Sequence, residues 1–394
     1  MKHAPSGSWR SWLAALVLAP LSFLGACGGV SVAVCGDWWC VGTPIPPPCY
    51  YCFSLSSAAA DLNGDGILDA IYSAEDNGMV KVRLGDGAGG VAAEQVFPRG
   101  LTTIDLMRAA DVDGDTNVDV ILIDSAGGQL QVLLSNGTGG LPTQGPIVPI
   151  PGATHIVDAE VGRVDGGTMD DIVLVDDTGG VIAMLGGAGG AMTVAPAGRQ
   201  VLPCGGTDLD LGLIDGNTLA DIVVTNEAAM SVCVYAGTGN GAFTSLGSLD
   251  VTDPPVQPLL VELDGQPGLD LALLMRDGLF VEAWFGNGQG GFTRSPQGLA
   301  ATGQSSTRML ALPNPAAPTG PVGLAVLGGG PRIGSVAALP NRGDGWFILP
   351  APSATLSHAA TAGIVTDLES DGRLDMIVLS AGGISVLTGG SAQD

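Results

Sequence analysis

Three nine-residue stretches of the chain place carboxylates at nearly alternate positions. The stretch "DVDGDTNVD" spans residues 111–119, and similar phrases read "DLNGDGILD" at 61–69 and "DLESDGRLD" at 367–375. Like charges at this spacing repel one another unless a cation lies between them. Calcium is a hard cation that takes roughly six to eight oxygen ligands, so these phrases predict calcium binding.

The predicted oxygen ligands occupy positions 1, 3, 5 and 9 of each phrase, together with the backbone carbonyl of position 7. They are Asp61, Asn63, Asp65, Ile67 and Asp69; Asp111, Asp113, Asp115, Asn117 and Asp119; and Asp367, Glu369, Asp371, Arg373 and Asp375. A weaker set is Glu262, Asp264, Gln266 and Asp270. We therefore predict three Ca²⁺ sites, with the weaker set as a fourth candidate. An EF-hand is rejected because position 12 falls in an apolar run (Tyr72, Leu122 and Val378).

Two further copies of the phrase lack ligands. Arg163 and Gly167 stand at ligand positions in one copy, and Leu213 does so in the next. Their surviving aspartates are expected to cap turns through nearby backbone amides. These aspartates are Asp165, Asp171, Asp215 and Asp221. A metal-free turn of this kind is also the alternative for every predicted calcium site.

The acidic phrases recur with a fixed period. Their last aspartate, which precedes an apolar run, falls at 69, 119, 171, 221, 270 and 375, and Gly323 stands midway across the final double interval. Glycine-rich loops such as "LGDGAGGV" (84–91) and "FGNGQGGF" (285–292) recur in step. Two independent marks with one period of about fifty residues predict seven copies of a single structural unit.

Each copy contains four short apolar or alternating runs bounded by Gly, Asn, Asp and Pro, which is the pattern of β-strands. A four-stranded sheet cannot cover both of its faces alone, and a ring of such sheets can. The sequence thus predicts an all-β, seven-bladed β-propeller of four-stranded blades. The last copy lacks a fourth strand, which either "VSVAV" (30–34) or "WWCVG" (38–42) could supply.

The acidic phrase paired with a glycine-rich loop resembles the FG-GAP or VCBS repeats, whose blades are those of the integrin α-subunit head. The resemblance covers roughly residues 50–390. It implies a propeller with integrin-α-like calcium loops, and it leaves the biological role open, since such proteins include adhesins, lectin-like proteins and enzyme-attached modules.

The N-terminus has the features of an export signal. Lys2 and Arg10 precede the apolar run "WLAALVLAPLSFLG" (12–25), which is too short to span a bilayer. The following "LGAC" resembles the bacterial lipoprotein box, which implies lipidation of Cys27 and an anchor in the cell envelope, at the outer membrane. We predict a signal peptide at 1–26, a stalk at 27–48 that could supply the closing strand, and the propeller at 49–394.

The remaining six cysteines are an even set, as expected for disulfides in an oxidising compartment. They are Cys35, Cys40, Cys49, Cys52, Cys204 and Cys233. Local pairing (35 with 40, 49 with 52, 204 with 233) is the simplest arrangement. A zinc site formed by the first four is the alternative.

Acidic residues outnumber basic ones 39 to 14, for a formal net charge of −25. Such a surface argues against nucleic-acid binding. We predict a monomeric, non-enzymatic binding or adhesion-like module for a protein or glycan that this sequence does not identify. The alternative is a polysaccharide lyase or hydrolase. It has little support, because only His155 and His358 follow the signal peptide.

Overall fold

A computed structural model describes the chain at residues 39–41, 55–74, 78–87, 91–206, 208–302, 306–313, 320–330, 333–348, 354–356, 360–366, 374–380 and 383–389. Its regular structure is β-strand throughout, apart from 3₁₀ turns at Ala188–Gly190 and Arg276–Gly278. None of the helical segments in these ranges is long and apolar enough to cross a bilayer.

The first strand, β1 (Trp39–Val41), stands apart from the six sheets that follow it in the chain. Each of those sheets consists of four consecutive antiparallel strands. The first contains β2 (Leu55–Ala60), β3 (Asp69–Ala74), β4 (Met79–Arg83) and β5 (Gln95–Pro98). The second contains β6 (Leu106–Ala110), β7 (Asp119–Asp124), β8 (Gln129–Leu134) and β9 (Thr143–Pro149). The third contains β10 (Ile156–Gly162), β11 (Asp171–Asp176), β12 (Gly180–Leu185) and β13 (Thr193–Val201).

The fourth to sixth sheets repeat the same order of strands. The fourth contains β14 (Asp208–Gly212), β15 (Asp221–Asn226), β16 (Ser231–Gly237) and β17 (Phe243–Asp250). The fifth contains β18 (Pro255–Val261), β19 (Asp270–Met275), β20 (Phe280–Gly286) and β21 (Phe292–Ala301). The sixth contains β22 (Ser306–Leu312), β23 (Gly323–Gly330), β24 (Ile333–Leu339) and β25 (Ala354–Leu356).

The remaining sheet combines both ends of the chain. It contains β26 (Ala360–Thr366), β27 (Asp375–Ser380) and β28 (Gly383–Gly389), and β1 pairs antiparallel with β28. Trp39 lies opposite Gly389, and Val41 lies opposite Leu387. We call this the composite sheet. Its fourth strand comes from "WWCVG", one of the two segments considered for that position, whereas "VSVAV" lies outside the described residues.

The first strands of successive sheets contact one another in the order β2, β6, β10, β14, β18, β22 and β26, and β2 also contacts β27. The sheets therefore form a closed ring around a central channel. Apolar clusters fill the spaces between neighbouring sheets. The second strands contribute most to these clusters, and every residue of β7, β11 and β19 is buried.

The prediction of an all-β propeller with four-stranded antiparallel blades is confirmed. The period also holds in detail, because each repeated aspartate, and Gly323 in its place, is the first residue of its sheet's second strand. Each four-stranded sheet needs a neighbouring sheet to cover its apolar faces, which explains why a repeat of about fifty residues folds as one blade of a ring.

Several predictions fall outside the described residues. They are the signal peptide at 1–26, the lipidated Cys27, and the cysteines Cys35, Cys49 and Cys52, and for Cys40 only the backbone is described. Cys204 and Cys233 are joined by a disulfide, which is one of the three local pairings predicted. It ties the connection between the third and fourth sheets to β16.

Candidate functional site: acidic loops and a charged channel

The aspartate at position 9 of each acidic phrase lies at a joint within its sheet. Asp69, Asp119, Asp171, Asp221 and Asp270 are at most 1% exposed. One oxygen of each accepts the backbone N–H of the residue seven positions earlier, and the other accepts an N–H fifteen or sixteen positions later, at the glycine-rich loop. This carboxylate therefore connects the acidic loop to the far end of the third strand in the same sheet.

The geometry of this joint is nearly the same in five sheets. The earlier donors are Leu62 (2.8 Å), Val112 (3.3 Å), Val164 (2.9 Å), Ile214 (2.9 Å) and Leu263 (2.7 Å). The later donors are Gly85 (2.9 Å), Ser135 (2.9 Å), Gly186 (3.0 Å), Gly237 (2.9 Å) and Gly286 (2.8 Å). Glycine predominates at the later position because added side chains would collide. At Gly286, for example, a Cβ would lie 2.0 Å from the carbonyl oxygen of Leu269.

Burial raises the pKa of these carboxyl groups against the opposing effect of their backbone hydrogen bonds. The pKa of Asp119 rises to about 7, and the charges of Asp113 and Asp115 contribute to the increase. The pKa of Asp270 rises to about 6 for the same leading reason. Buried carboxylates without a nearby positive charge are costly, so a cation beside these loops would stabilise the folded state.

The second and fifth acidic loops each bring three carboxylates together. One oxygen from each of Asp111, Asp113 and Asp115 lies within 4.8 Å of the others. The same is true of Glu262, Asp264 and Asp270 in the loop that the sequence analysis left as a weaker candidate. Among the described residues these are the groups of three acids close enough to share an ion.

The donor atoms of both groups suit calcium, because all of them are oxygens and each group consists of three carboxyl groups. In the second loop, Asp111, Asp113 and Asp115 would hold the ion. Asp119 lies outside that group, and both of its oxygens accept backbone N–H bonds. Its role as a ligand, and that of the Asn117 carbonyl, stay predictions.

The first loop is arranged differently from the second. Asp61 accepts the N–H groups of Gly64, Asp65 and Gly66, at 2.7–3.1 Å. The side chain of Asn63 donates to Asp65 (2.9 Å). The acids of this loop do not form a group within 4.8 Å. Calcium binding by Asp61, Asn63, Asp65, Ile67 and Asp69 stays a prediction.

The calcium site predicted in the seventh copy of the repeat lies mostly outside the described part of the chain. Asp367, Glu369, Asp371 and Arg373 are in the segment that the structure does not describe. Asp375 is described, begins β27, and is 1% exposed, like its counterparts in other sheets.

In the third and fourth loops, two of the four aspartates cap turns as the sequence predicts. Asp165 accepts the N–H of Gly167 (2.6 Å), and Asp215 accepts the N–H of Asn217 (3.0 Å), so both cap turns. Asp171 and Asp221 differ from the prediction, since they form the buried joint described above. Arg163 pairs with Asp170 (3.1 Å) where a ligand would otherwise stand.

The acidic loops also connect neighbouring sheets. Amides of the next sheet's glycine-rich loop donate to the position-2 carbonyl of the acidic loop, as Gly139 does to Leu62 (3.0 Å) and Gly290 to Ile214 (2.7 Å). The residue before the next sheet's second strand donates to the position-1 carbonyl, as Asp170 does to Asp111 (2.8 Å). Each loop is thus a joint both within its own sheet and between sheets.

A second candidate site is the central channel. The first strands enclose a cavity of about 470 Å³ there. Its charged lining consists of Asp105, Arg108, Glu160, Asp208, Asp210 and Arg308. Asp158 adjoins this lining and its side chain is 2% exposed.

Side chains connect successive first strands around the channel. Arg108 of β6 donates to Asp158 (3.0 Å) and Glu160 (2.9 Å) of β10. The further bonds are Leu209 N–H to Asp158 (3.1 Å), Leu260 N–H to Asp210 (2.6 Å), Met309 N–H to Gln257 (2.7 Å) and Thr307 hydroxyl to the Ala360 carbonyl (3.2 Å). The channel wall is therefore a polar network rather than an apolar tube.

Three carboxyl groups of the channel, those of Glu160, Asp208 and Asp210, have elevated pKa values. Burial, with the charges of Glu160 and Asp158, raises the pKa of Asp210 to about 8 despite two backbone hydrogen bonds. Burial likewise raises the pKa of Asp208 well above its usual range, with Arg308 opposing, and that of Glu160, with Arg108 opposing. Burial is the leading cause of the common direction, and the charges of neighbouring acids add to it.

The channel was not predicted from the sequence. Its charged residues are spread over four copies of the repeat and meet only when the ring closes. A signal was nevertheless present, because Arg108, Asp158, Asp208 and Arg308 lie at intervals of 50 or 100 residues. Charges at one fixed position of the period, within otherwise apolar first strands, indicate a shared polar environment. His155, by contrast, is exposed in the turn before β10.

Comparisons with known proteins support the fold. No protein-family model and no curated protein sequence matches the chain. Among solved structures, it is similar to BBS1N, crystallised in complex with ARL6DN, at 14% identity, with a TM-score of 0.61, over 92% of this chain and 99% of that chain.

Two other solved structures give the same result. The β-propeller domain of Nup133 from Vanderwaltozyma polyspora matches at 8% identity and a TM-score of 0.53, covering 91% of this chain and 100% of that chain. A protein from Lactobacillus plantarum matches at 13% identity and a TM-score of 0.53, covering 80% and 89%. At these identities the likeness shows the fold alone. The chain is a β-propeller.

Proposed function

We propose that this protein is a calcium-stabilised, extracytoplasmic β-propeller that acts as a non-enzymatic binding module for a protein or glycan. The observation that carries the proposal is the ring of four-stranded sheets joined through acidic loops. Such a ring supplies a rigid scaffold on which loops at one face contact a partner. The propellers BBS1N and Nup133 are similar in fold, and BBS1N was crystallised with ARL6DN, a protein partner.

The composite sheet would serve as the seventh blade of this module, held by β1. Calcium would be bound at the second loop and, by the resemblance to FG-GAP repeats, at the first and seventh loops. We add the fifth loop to the proposed calcium sites because its three acids lie close together. Each ion would fix the connection between the first two strands of its blade, so occupancy would stabilise only the folded state.

Location follows from the sequence of the N-terminus. A lipid on Cys27 would hold the propeller at the outer membrane. Palmitate labelling of the wild-type protein and of a Cys27→Ser variant in a bacterial host tests this step. We expect the label and the membrane association to be lost together in the variant.

The binding role is tested on a glycan array and a panel of immobilised envelope proteins, with purified protein in calcium and in chelator. We expect binding to a restricted set of partners that is weakened by chelator, because loop order depends on the ions. Absence of any partner on either panel, for protein that melts cooperatively, would contradict the proposal.

One observation favours the alternative, a polysaccharide-acting enzyme. Asp208, Asp210 and Glu160 line one cavity, and carboxyl groups with raised pKa values serve as acids and bases in glycoside hydrolysis. Release of unsaturated or reducing sugars from a polysaccharide panel, lost in Asp210→Asn, would replace the binding proposal with this one.

A further inference from the structure

The channel contains a carboxylate that lacks hydrogen-bond donors. Asp208 lines the cavity, and its closest cation is Arg308, with 3.7 Å between the nitrogen and the oxygen. This separation exceeds hydrogen-bond length. Within the described ranges no group donates a hydrogen bond to the Asp208 carboxylate. The neighbouring Asp210, by contrast, accepts the N–H groups of Leu211 (2.8 Å) and Leu260 (2.6 Å).

The arginines do not neutralise the cavity. Arg108 is fully engaged, since it donates to Asp158, Glu160 and the carbonyl of Met107. Among the described residues that line the cavity, Asp105, Asp208 and Asp210 share it with one further cation, Arg308, which pairs with Asp208. A cavity in which acids outnumber cations favours bound positive charge, either as protons on its carboxyl groups or as a cationic ligand that replaces them, and it disfavours anions.

The spacing of the acids distinguishes a metal ion from a larger cation. No three acids of the channel, all of which are described, bring oxygens within 4.8 Å of one another, unlike the acids of the second and fifth loops. A bare ion would therefore find fewer than three protein carboxylates. A longer ligand with a charged group at each end can reach separate carboxylates.

The size and the apolar part of the lining fit such a ligand. A volume of about 470 Å³ lies in the range of pockets for small organic molecules. Ala109, Val161, Leu259 and Leu310 also line the cavity, are partly exposed, and provide contacts for methylene groups. We propose that the central channel binds a small organic cation of the linear diamine class, with one ammonium group on Asp208 and the other on Asp210 or Glu160.

The test is isothermal titration of the full chain with 1,4-diaminobutane in the presence of EDTA, which removes calcium. We expect one diamine per chain and no heat from 1,4-butanediol, which has the same length without charge. Asp208→Asn should weaken binding at least tenfold, because a charge-assisted hydrogen bond contributes roughly that factor. The matched control is Asp250→Asn, an exposed acid on β17, which should bind like the wild type.

A second variant is expected to bind the diamine more tightly, which damage to the fold would not produce. Arg308→Gln removes the cation that competes for Asp208, so diamine should bind more tightly. Equal affinity in Asp208→Asn and the wild type, weaker binding in Arg308→Gln, or several weak sites abolished by salt would each overturn the proposal. Stoichiometric displacement of the diamine by calcium from the channel would identify a metal site instead.

Discussion

The aspartate at position 9 shows how one residue type serves two purposes in the same phrase. In the second loop the partly exposed acids at positions 1, 3 and 5 lie close together, whereas the ninth carboxylate is buried and accepts one amide from the acidic loop and one from the residue after the third strand. From the sequence alone both are acids at alternate positions. The distinction comes from the copies without ligands, where the ninth aspartate is retained and the others vary.

Replacing this buried aspartate should destabilise the fold independently of calcium. Asp221→Ala leaves the buried N–H groups of Ile214 and Gly237 without acceptors, and each such loss costs about 1–3 kcal/mol. We expect the free energy of unfolding to fall by about 3 kcal/mol or more, in urea denaturation with EDTA. The exposed Asp250→Ala should change it by about 0.5 kcal/mol or less. A loss that appears only when calcium is present would contradict the structural role.

Asp210 predicts how stability depends on pH. Its folded pKa of about 8 exceeds the ordinary value of 3.8, so the folded state binds more protons than the unfolded state between these limits. The free energy of unfolding should therefore decrease as the pH rises from about 4 to about 8. The decrease should be shallower in Asp210→Asn than in the wild type, measured by urea denaturation in EDTA. Parallel curves for Asp210→Asn and the wild type would refute this assignment.

The acidic loops and glycine-rich loops are the elements that make one sheet the neighbour of the next. Their backbone amides and carbonyls pair across sheets, as Gly290 and Ile214 do. This explains why two loop motifs share one period. It also explains why calcium at a loop would rigidify the contact between blades as well as the blade itself.

Calcium should raise the melting temperature through specific loops. At a free concentration ten times the dissociation constant, each site adds about 1.4 kcal/mol to the free energy of unfolding. Asp113→Asn keeps the shape of the second loop but removes one of three convergent charges, so the calcium-induced increase should shrink. Asp215→Asn alters the fourth loop, where Leu213 replaces a ligand, and should leave the increase intact. Calorimetry with calcium or EDTA measures both, and equal increases in the two variants would count against the second loop as a site.

The strands, their order and the start of each second strand could be predicted from the sequence, because hydrophobic runs and loop motifs recur locally. The channel could not be predicted with the same ease. Its network joins Arg108, Asp158 and Asp210 across separate repeats, and which first-strand side chains face one another depends on ring closure. The convergence of acids in the fifth loop likewise depends on backbone geometry, since its sequence departs from the phrase at Glu262 and Gln266.

The whole molecule depends on β1, which joins the two ends of the ring. Deleting residues 28–45 removes β1 and exposes the edge of β28, while deleting residues 28–37 leaves β1 in place. We expect the first deletion to lower the melting temperature by several degrees and the second to have little effect. Calorimetry of both variants and the wild type, all in the same reducing buffer, tests this expectation. An unchanged melting temperature after the first deletion would show that the ring is held closed without β1.

The pairing of Trp39 with Gly389 has a consequence for engineering the chain. Because β1 and β28 meet in one sheet, a short linker could join Gly389 directly to Trp39, and new ends could be opened in the connection between β21 and β22. In such a circular permutant, the four strands of every sheet would follow one another in the chain. Translation would then complete each blade in turn, without the first-made strand waiting for the last.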